Sequence, residues 1–304
     1  MLDRKREIDT FKENINLCEY ACEKYGFAIR QNESSRAYKV LKKPDSDKLV
    51  VSKSPQNHWV YFNVFDRTDS GTIVDLIQNR ENLNLGQIRK ELRSWSNTST
   101  VSRAKYADIT YKPVDLDAVR NQFNSFQPAT NTDYLESRYI DPSVIQSKRF
   151  YNKLKQNNLG HLIAPHRSHD GLVGFEIIGS GAKRYSDNSE RSIWSSACLK
   201  DDQYVIFTES VIDTLSLFQM RDEDNSRYHC TSGAIGGRQL GTIVSILKKA
   251  HADNRVVVAA FDNDDAGTTY TESLRELCSR EQAFETITPK PFKDWNDQLK
   301  DKIS

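Results

Sequence analysis

Two apolar runs in this sequence end in carboxylates. "YVIFTES" (204–210) delivers Glu209, and "VVVAAFDNDDAG" (256–267) delivers Asp262 and Asp264. Residues i and i+2 of an extended segment point the same way, so the two aspartates can face one pocket. Carboxylates crowded at a strand end repel one another unless a cation sits among them or water screens them. Hard divalent cations such as magnesium take oxygen ligands and keep several waters, so two or three carboxylates suffice. Two such ions can clamp the attacking and leaving oxygens of a phosphoryl or nucleotidyl transfer. Asp213, one helical turn after Glu209, either reaches the same pocket or complements the N-terminus of its helix. Asp265 reads as a helix N-cap rather than a ligand. Asp-Asn-Asp after a strand is also ordinary turn chemistry; what makes it specific is the glutamate at the end of an earlier strand.

The elements that would position these groups alternate clearly from residue 201 onward. Strand "QYVIFT", helix "VIDTLSLFQM", strand and glycine-rich loop "YHCTSGAIGG", helix "QLGTIVSILKKA", strand "RVVVAAF", helix "TTYTESLRELCSR" and strand "FETITP" follow in order. Strand–helix alternation predicts a parallel sheet with right-handed crossovers, whose reactive groups collect at the carboxyl ends of its strands. Upstream, residues 133–200 predict two short helices broken at Asp141-Pro142, then the strands "GHLIAPHR", "GLVGFEIIG" and "AKRYSD" joined by tight turns. Residues 99–132 read as a polar linker followed by a helix from Asp115. Residues 1–98 predict one helix over 4–25, a small antiparallel sheet of "AYKVLKK", "KLVVSKS" and "HWVYFNVF", a helix opened by Asp69-Ser70-Gly71, and a second around "LGQIRKELRSW". Four segments are expected: 1–98, 99–132, 133–200 and 201–304.

Composition narrows the class. Of 304 residues, 37% are hydrophobic and 28% charged, and no run is apolar enough to span a bilayer. The charged start "MLDRKREIDT" lacks a signal-peptide core, so a cytoplasmic location is expected. The five cysteines are scattered without a CxxC pair, too few and too dispersed for structural zinc. The net charge of +1 hides an asymmetry, because the four segments carry +3, +1, +3 and −6. A basic front and an acidic back suit a polyanion held by one part and a metal held by the other.

The acidic pattern resembles the Toprim domain of bacterial primases, topoisomerases and certain nucleases. "TESVIDTLSL" resembles that family's glutamate motif, "AAFDNDDAG" its DxD motif, "TSGAIGG" its intervening small-residue loop, and "PKPFKDWNDQL" the tail of primase-type modules. The resemblance continues upstream, where "YLESRYIDPSVI", "LIAPHRSHDGLVGFEI" and "AKRYSDNSERSIW" look like the basic subdomain that precedes Toprim in DNA primases. Residues 1–98 are similar in layout to the primase zinc-binding domain, but without its cysteine ligands. The whole pattern is similar to that of the primase-like Toprim proteins of plasmids and mobile elements. Two departures stand out: the absent zinc ligands, and Ser210 after Glu209 where many family members have glycine.

The resemblance implies an α/β chain. Its C-terminus would be a Rossmann-like Toprim domain, preceded by a mixed α+β basic subdomain and a small zinc-ribbon-like unit that holds no zinc. It implies catalysis by Glu209, Asp262 and Asp264, with Mg2+ or Mn2+ held by these and Asp213. Phosphates would be steadied by Lys183, Arg184, Arg191 and Arg167, beside His166. Tyr185 and Trp59 read as packed rather than stacked on bases. The implied activity is RNA primer synthesis on single-stranded DNA from nucleotide triphosphates, with a replication or mobile-element protein as a further partner. Two other activities stay open at this level: a metal-dependent nuclease, since the same acids can activate water, and a catalytically silent DNA-binding module in plasmid replication, transfer or phage defence.

Overall fold

The computed structural model describes residues 2–44, 47–98, 109–130, 133–221 and 224–303. Its contacts group the chain into two compact units, Met1–Pro113 and Val114–Ser304.

The first unit opens with helices α1 (Leu2–Asn14) and α2 (Leu17–Tyr25). Apolar spacing predicts one helix here. Asn16 breaks it, because its side chain accepts the backbone N–H groups of Cys18 and Glu19 and restarts the helix. Strands β1 (Ala28–Ile29), β2 (Tyr38–Lys42), β3 (Lys48–Lys53), β4 (Trp59–Asn63) and β5 (Ser70–Thr72) form an antiparallel sheet in chain order. Helix α3 (Ile73–Glu81) is capped by Thr72 in a reciprocal box with Asp75, not by Asp69. Asp69 is buried instead, accepting hydrogen bonds from Tyr61 (2.6 Å), Asn63 and Asn79 and pairing with Arg80 (2.9 Å). Helix α4 (Leu85–Thr98) completes a core built on Leu17, Tyr20, Leu41, Leu49, Trp59 and Ile73. Trp59 is buried there, in packing contact. The expected linker falls largely on 99–108, outside the described residues.

The second unit begins with α5 (Leu116–Ser125), capped by Asp115. Strand β6 (Gln127–Pro128) and the short helices α6 (Asp133–Ser137) and α7 (Pro142–Gln146) follow. Asp141 caps α7, and Pro142 takes its first turn, where a missing N–H costs nothing. Strands β7 (Lys155–Gln156), β8 (Leu162–Ser168), β9 (Gly171–Gly179) and β10 (Ala182–Tyr185) pair antiparallel in the order β10-β9-β8-β7-β6.

The remaining elements are β11 (Trp194–Ser195), β12 (Tyr204–Thr208), α8 (Val211–Met220), β13 (Ser226–Cys230), α9 (Gln239–Ala252), β14 (Val256–Ala259), α10 (Asp265–Leu277), β15 (Phe284–Thr286) and α11 (Trp295–Ile303). They build a second sheet in the order β11-β13-β12-β14-β15. β13, β12, β14 and β15 are parallel, as the alternation predicts, and β11 adds an antiparallel edge. The architecture is thus mixed α/β with a parallel sheet toward the C-terminus.

One apolar core joins the two sheets of this unit: Leu162 and Ile178 pack with Ile206, Leu215, Tyr228 and Val258. The far face of the antiparallel sheet packs on α5 through Phe123, Phe175 and Ile177. The β9–β10 hairpin therefore stands against the carboxyl rim of the parallel sheet. No helix among the described residues is long and apolar enough to cross a membrane.

Candidate functional site

A cleft of about 420 Å³ opens between that rim and the β9–β10 hairpin. Glu209, Asp213, Asp262 and Asp294 line one wall, and Glu176, Ile178 and Lys183 line the other. Arg138 and Tyr134 from α6 and its exit line it as well.

Glu209 directly follows β12. Ser210 then caps α8, accepting the Asp213 N–H (3.1 Å) and donating its hydroxyl to the Asp213 carboxylate. Ser210 thus holds Asp213 in place, and its backbone is extended (φ −127°). Asp213 both complements the helix N-terminus and faces the cleft.

Asp262 follows β14. The cap of α10 is Asp264, which accepts the Gly267 N–H (2.9 Å), rather than Asp265 as expected from the sequence. Asp264 does not line the cleft; its other oxygen lies 3.8 Å from the Lys293 ammonium. The turn is fixed from below. Asn263 binds the backbone of Lys293 and Phe292, and Trp295 donates its indole N–H to the Ala260 carbonyl (2.9 Å). Gly267 is needed there, since a Cβ on it would lie 1.9 Å from the Asp262 carbonyl oxygen. Gly267→Ala is expected to push the Asp262 turn aside and weaken Mn2+ binding by about tenfold or more, read by calorimetric titration. Unchanged affinity would mean that the turn tolerates the displacement.

The acids share one field. Burial, reinforced by Asp213, Glu209, Asp294 and Asp264, pushes the Asp262 carboxyl up to about 8. Asp213 is pushed up to about 6, chiefly by burial; the Ser210 hydroxyl pulls it down and Asp294 adds to the rise. Glu209 is raised by burial, then by Asp213 and Asp264, with Lys183 and Lys293 opposing. Asp262 Oδ1 is buried without a hydrogen-bond partner.

As the side chains sit, no group of three or more His, Cys, Asp or Glu among the described residues is spaced to hold one ion. The donor set nevertheless fits a hard cation, being all carboxylate, mutually repelling, and including one orphaned oxygen. A cation taken by Asp262 must displace its proton, so Mn2+ affinity is expected to climb from pH 6 to about 8 and level off above that. A flat profile in titrations across that range would contradict this.

The basic residues separate. Lys183 faces the cleft, with its Nζ 3.9 Å from Glu176 Oε1. Arg184 pairs with Ile177 and so occupies the opposite face of the sheet, toward α5. Arg191 stacks on Tyr185 and donates to the Ala234 carbonyl (2.7 Å), pinning the glycine-rich loop. Arg167 is exposed at the β8 bulge and is not part of the cleft lining. His166 is buried, with Nε2 3.2 Å from Ser232 Oγ, and desolvation followed by Arg191 pushes it down to about 3.

Sequence reasoning missed Asp294, Glu176 and Arg138. Asp294 caps α11 through the Asp297 N–H (2.7 Å), and the Asp-x-x-Asp spacing ahead of that helix was the available signal. Glu176 is the one acid inside the apolar run "GLVGFEIIG". No local pattern marks Arg138.

Residues 206–299 match the family model described as Toprim-like. That range contains every acid of the cleft's acidic wall, so this part of the chain is a Toprim-like domain, and such domains bind divalent metals such as Mg2+. No curated protein matches the chain. Among solved structures, it is similar to the primase fragment of the bacteriophage T7 primase-helicase protein, at 16% identity over 59% of this chain and 80% of that one, with a TM-score of 0.39. It is also similar to a chain in the structure of the bacteriophage T7 lagging-strand DNA polymerase interacting with primase domains, at 15% identity over 64% of this chain and 93% of that one, with a TM-score of 0.37.

Proposed function

We propose that the protein is a primase-type nucleotidyltransferase that makes RNA primers on single-stranded DNA. The observation that carries this reading is one cleft with opposed walls, Glu209, Asp213, Asp262 and Asp294 facing Lys183. A ligand matching both walls carries a divalent cation on one side and phosphate on the other, as a metal-bound nucleotide triphosphate does. Bound Mg2+ or Mn2+ would stabilise the negative charge that develops at the transferring phosphoryl group. Glu209 and Asp262 would hold the cation, supported by Asp213 and Asp294, while Asp264 adds to their field and fixes the turn. Lys183 would steady phosphate across the cleft, and Arg138 lines the same cleft. Arg191 acts through the loop that it pins, and Arg167 and Arg184 would meet nucleic acid outside the cleft, where lysine and arginine give salt-sensitive, sequence-independent affinity.

The test is synthesis of oligoribonucleotides without a primer, on single-stranded DNA with Mg2+ or Mn2+. Short products that depend on the metal are expected. Native protein that binds DNA and metal yet makes none would overturn the proposal, and cleavage of the labelled template would move it to hydrolysis by the same acids.

A further inference from the structure

Glu176 occupies the middle of β9 with 1% of its surface exposed, and a buried carboxylate is costly unless it is paired. Its Oε2 accepts the Ser232 hydroxyl (3.0 Å). Ser232 is itself over-determined: it holds a left-handed backbone (φ 53°), its carbonyl takes the Tyr185 hydroxyl (2.6 Å), and its Oγ meets His166. The following Gly233 N–H binds the Glu209 carbonyl (3.0 Å), so the same loop is tied to the acidic wall. Glu176 Oε1 is left toward Lys183, whose flexible stem and half-exposed side chain could otherwise reach across. Opposite stand the carboxylates of Glu209, Asp213, Asp262 and Asp294 in the same cleft, and negative charge there would attract that ammonium. A lysine collapsed onto them would occupy the place of a cation.

We propose that Glu176 is a positioning residue that keeps Lys183 on its own wall, so that Glu209 and Asp262 stay open to a divalent cation. The inference rests on the metal-binding reading above. Burial pulls the Lys183 ammonium toward neutrality, but Glu176, Tyr185, Cys230 and Glu209 outweigh it, so the held group stays charged.

The test is a double-mutant cycle on the full chain, read by calorimetric titration with Mn2+ alone. Glu176→Gln keeps the shape and the Ser232 contact but frees Lys183. Its Mn2+ dissociation constant is expected to rise about tenfold, the equivalent of one pKa unit of competing charge. Lys183→Met is expected to bind Mn2+ at least as well as wild type, and the double variant is expected to bind like Lys183→Met. A structural role for Glu176 would give a loss that Lys183→Met does not rescue, and that result, or no loss at all in Glu176→Gln, overturns the proposal. Should Glu176→Gln fail to fold, Ser232→Ala loosens the same carboxylate and is expected to show a smaller loss with the same rescue; no loss there, or no rescue, counts equally against it. Wild-type protein that ignores Mn2+ would remove the metal reading itself, a result distinct from failed rescue.

Discussion

Asp262→Asn is expected to abolish metal-dependent activity while making the metal-free protein harder to melt. Loss of a charged ligand from the cleft should lower turnover by on the order of 100-fold or more, the scale seen when a preorganised electrostatic group is removed. The gain in stability comes from the same atoms. Asp262 carries a buried oxygen without a partner and is crowded by Asp213, Glu209, Asp294 and Asp264. Asparagine keeps the shape and removes the charge. Solvent at the cleft mouth screens part of the repulsion, so the gain is about 1 kcal/mol, or ~2–4 °C in a unit of this size.

The sign of the pH dependence follows from linkage. The folded-state pKa of about 8 lies above the ordinary aspartate value of 3.8, so wild-type stability from this group is present below pH 4 and is lost as pH rises through 8. The melting advantage of Asp262→Asn should therefore be widest above pH 8 and shrink toward pH 4. Thermal melts in EDTA at several pH values check this. An advantage that grows in acid would show that repulsion at Asp262 is not what the substitution relieves. Strain of this kind persists where function needs it.

Arg149→Met is expected to have the largest effect on stability. The Arg149 side chain is fully buried and binds Asp202 (2.7 Å), Asp224 (2.6 Å) and the Ala197 carbonyl (2.8 Å). It ties the segment after α7 to the loops that lead into β12 and β13. Removing it strands the Asp202 carboxylate, whose side chain is also fully buried, and breaking a buried pair in this way costs about 3–5 kcal/mol. The transition should fall by on the order of 10 °C. Arg149→Lys should not restore it, because an ammonium cannot make the forked contacts of a guanidinium. These contacts lie at the amino ends of the strands, opposite the acidic rim, so the surviving folded protein should bind Mn2+ with unchanged affinity. A melting shift under ~2 °C would mean that the network contributes little.

Periodicity and caps made much of the second unit legible. The parallel strands, their helices, the helix beginning at Asp115 and the break at Asp141-Pro142 could be read because each depends on residues within a few positions of one another. Errors of reading arose where neighbouring residues competed for one role. Asp264 and Asp265 are both good caps, and the choice fell to Asp264 because Gly267 lets that helix start press against the Asp262 backbone. In the first unit, Asn16 broke a helix that its apolar spacing favoured.

The sequence by itself determined the local chemistry: which strands end in acids, that the acids are hard oxygen donors, and that an apolar run carries them to a sheet rim. Those features follow from residue type and from periods of two and 3.6. Only the tertiary structure decided which charges share a cleft. Lys183 and Arg184 are adjacent in sequence yet face opposite sides of the sheet, and Asp294 and Glu176 arrive at the acids from an unrelated helix and an unrelated strand. Proximity between distant segments is set by how two sheets pack on a common core, and no pattern within either segment encodes that distance.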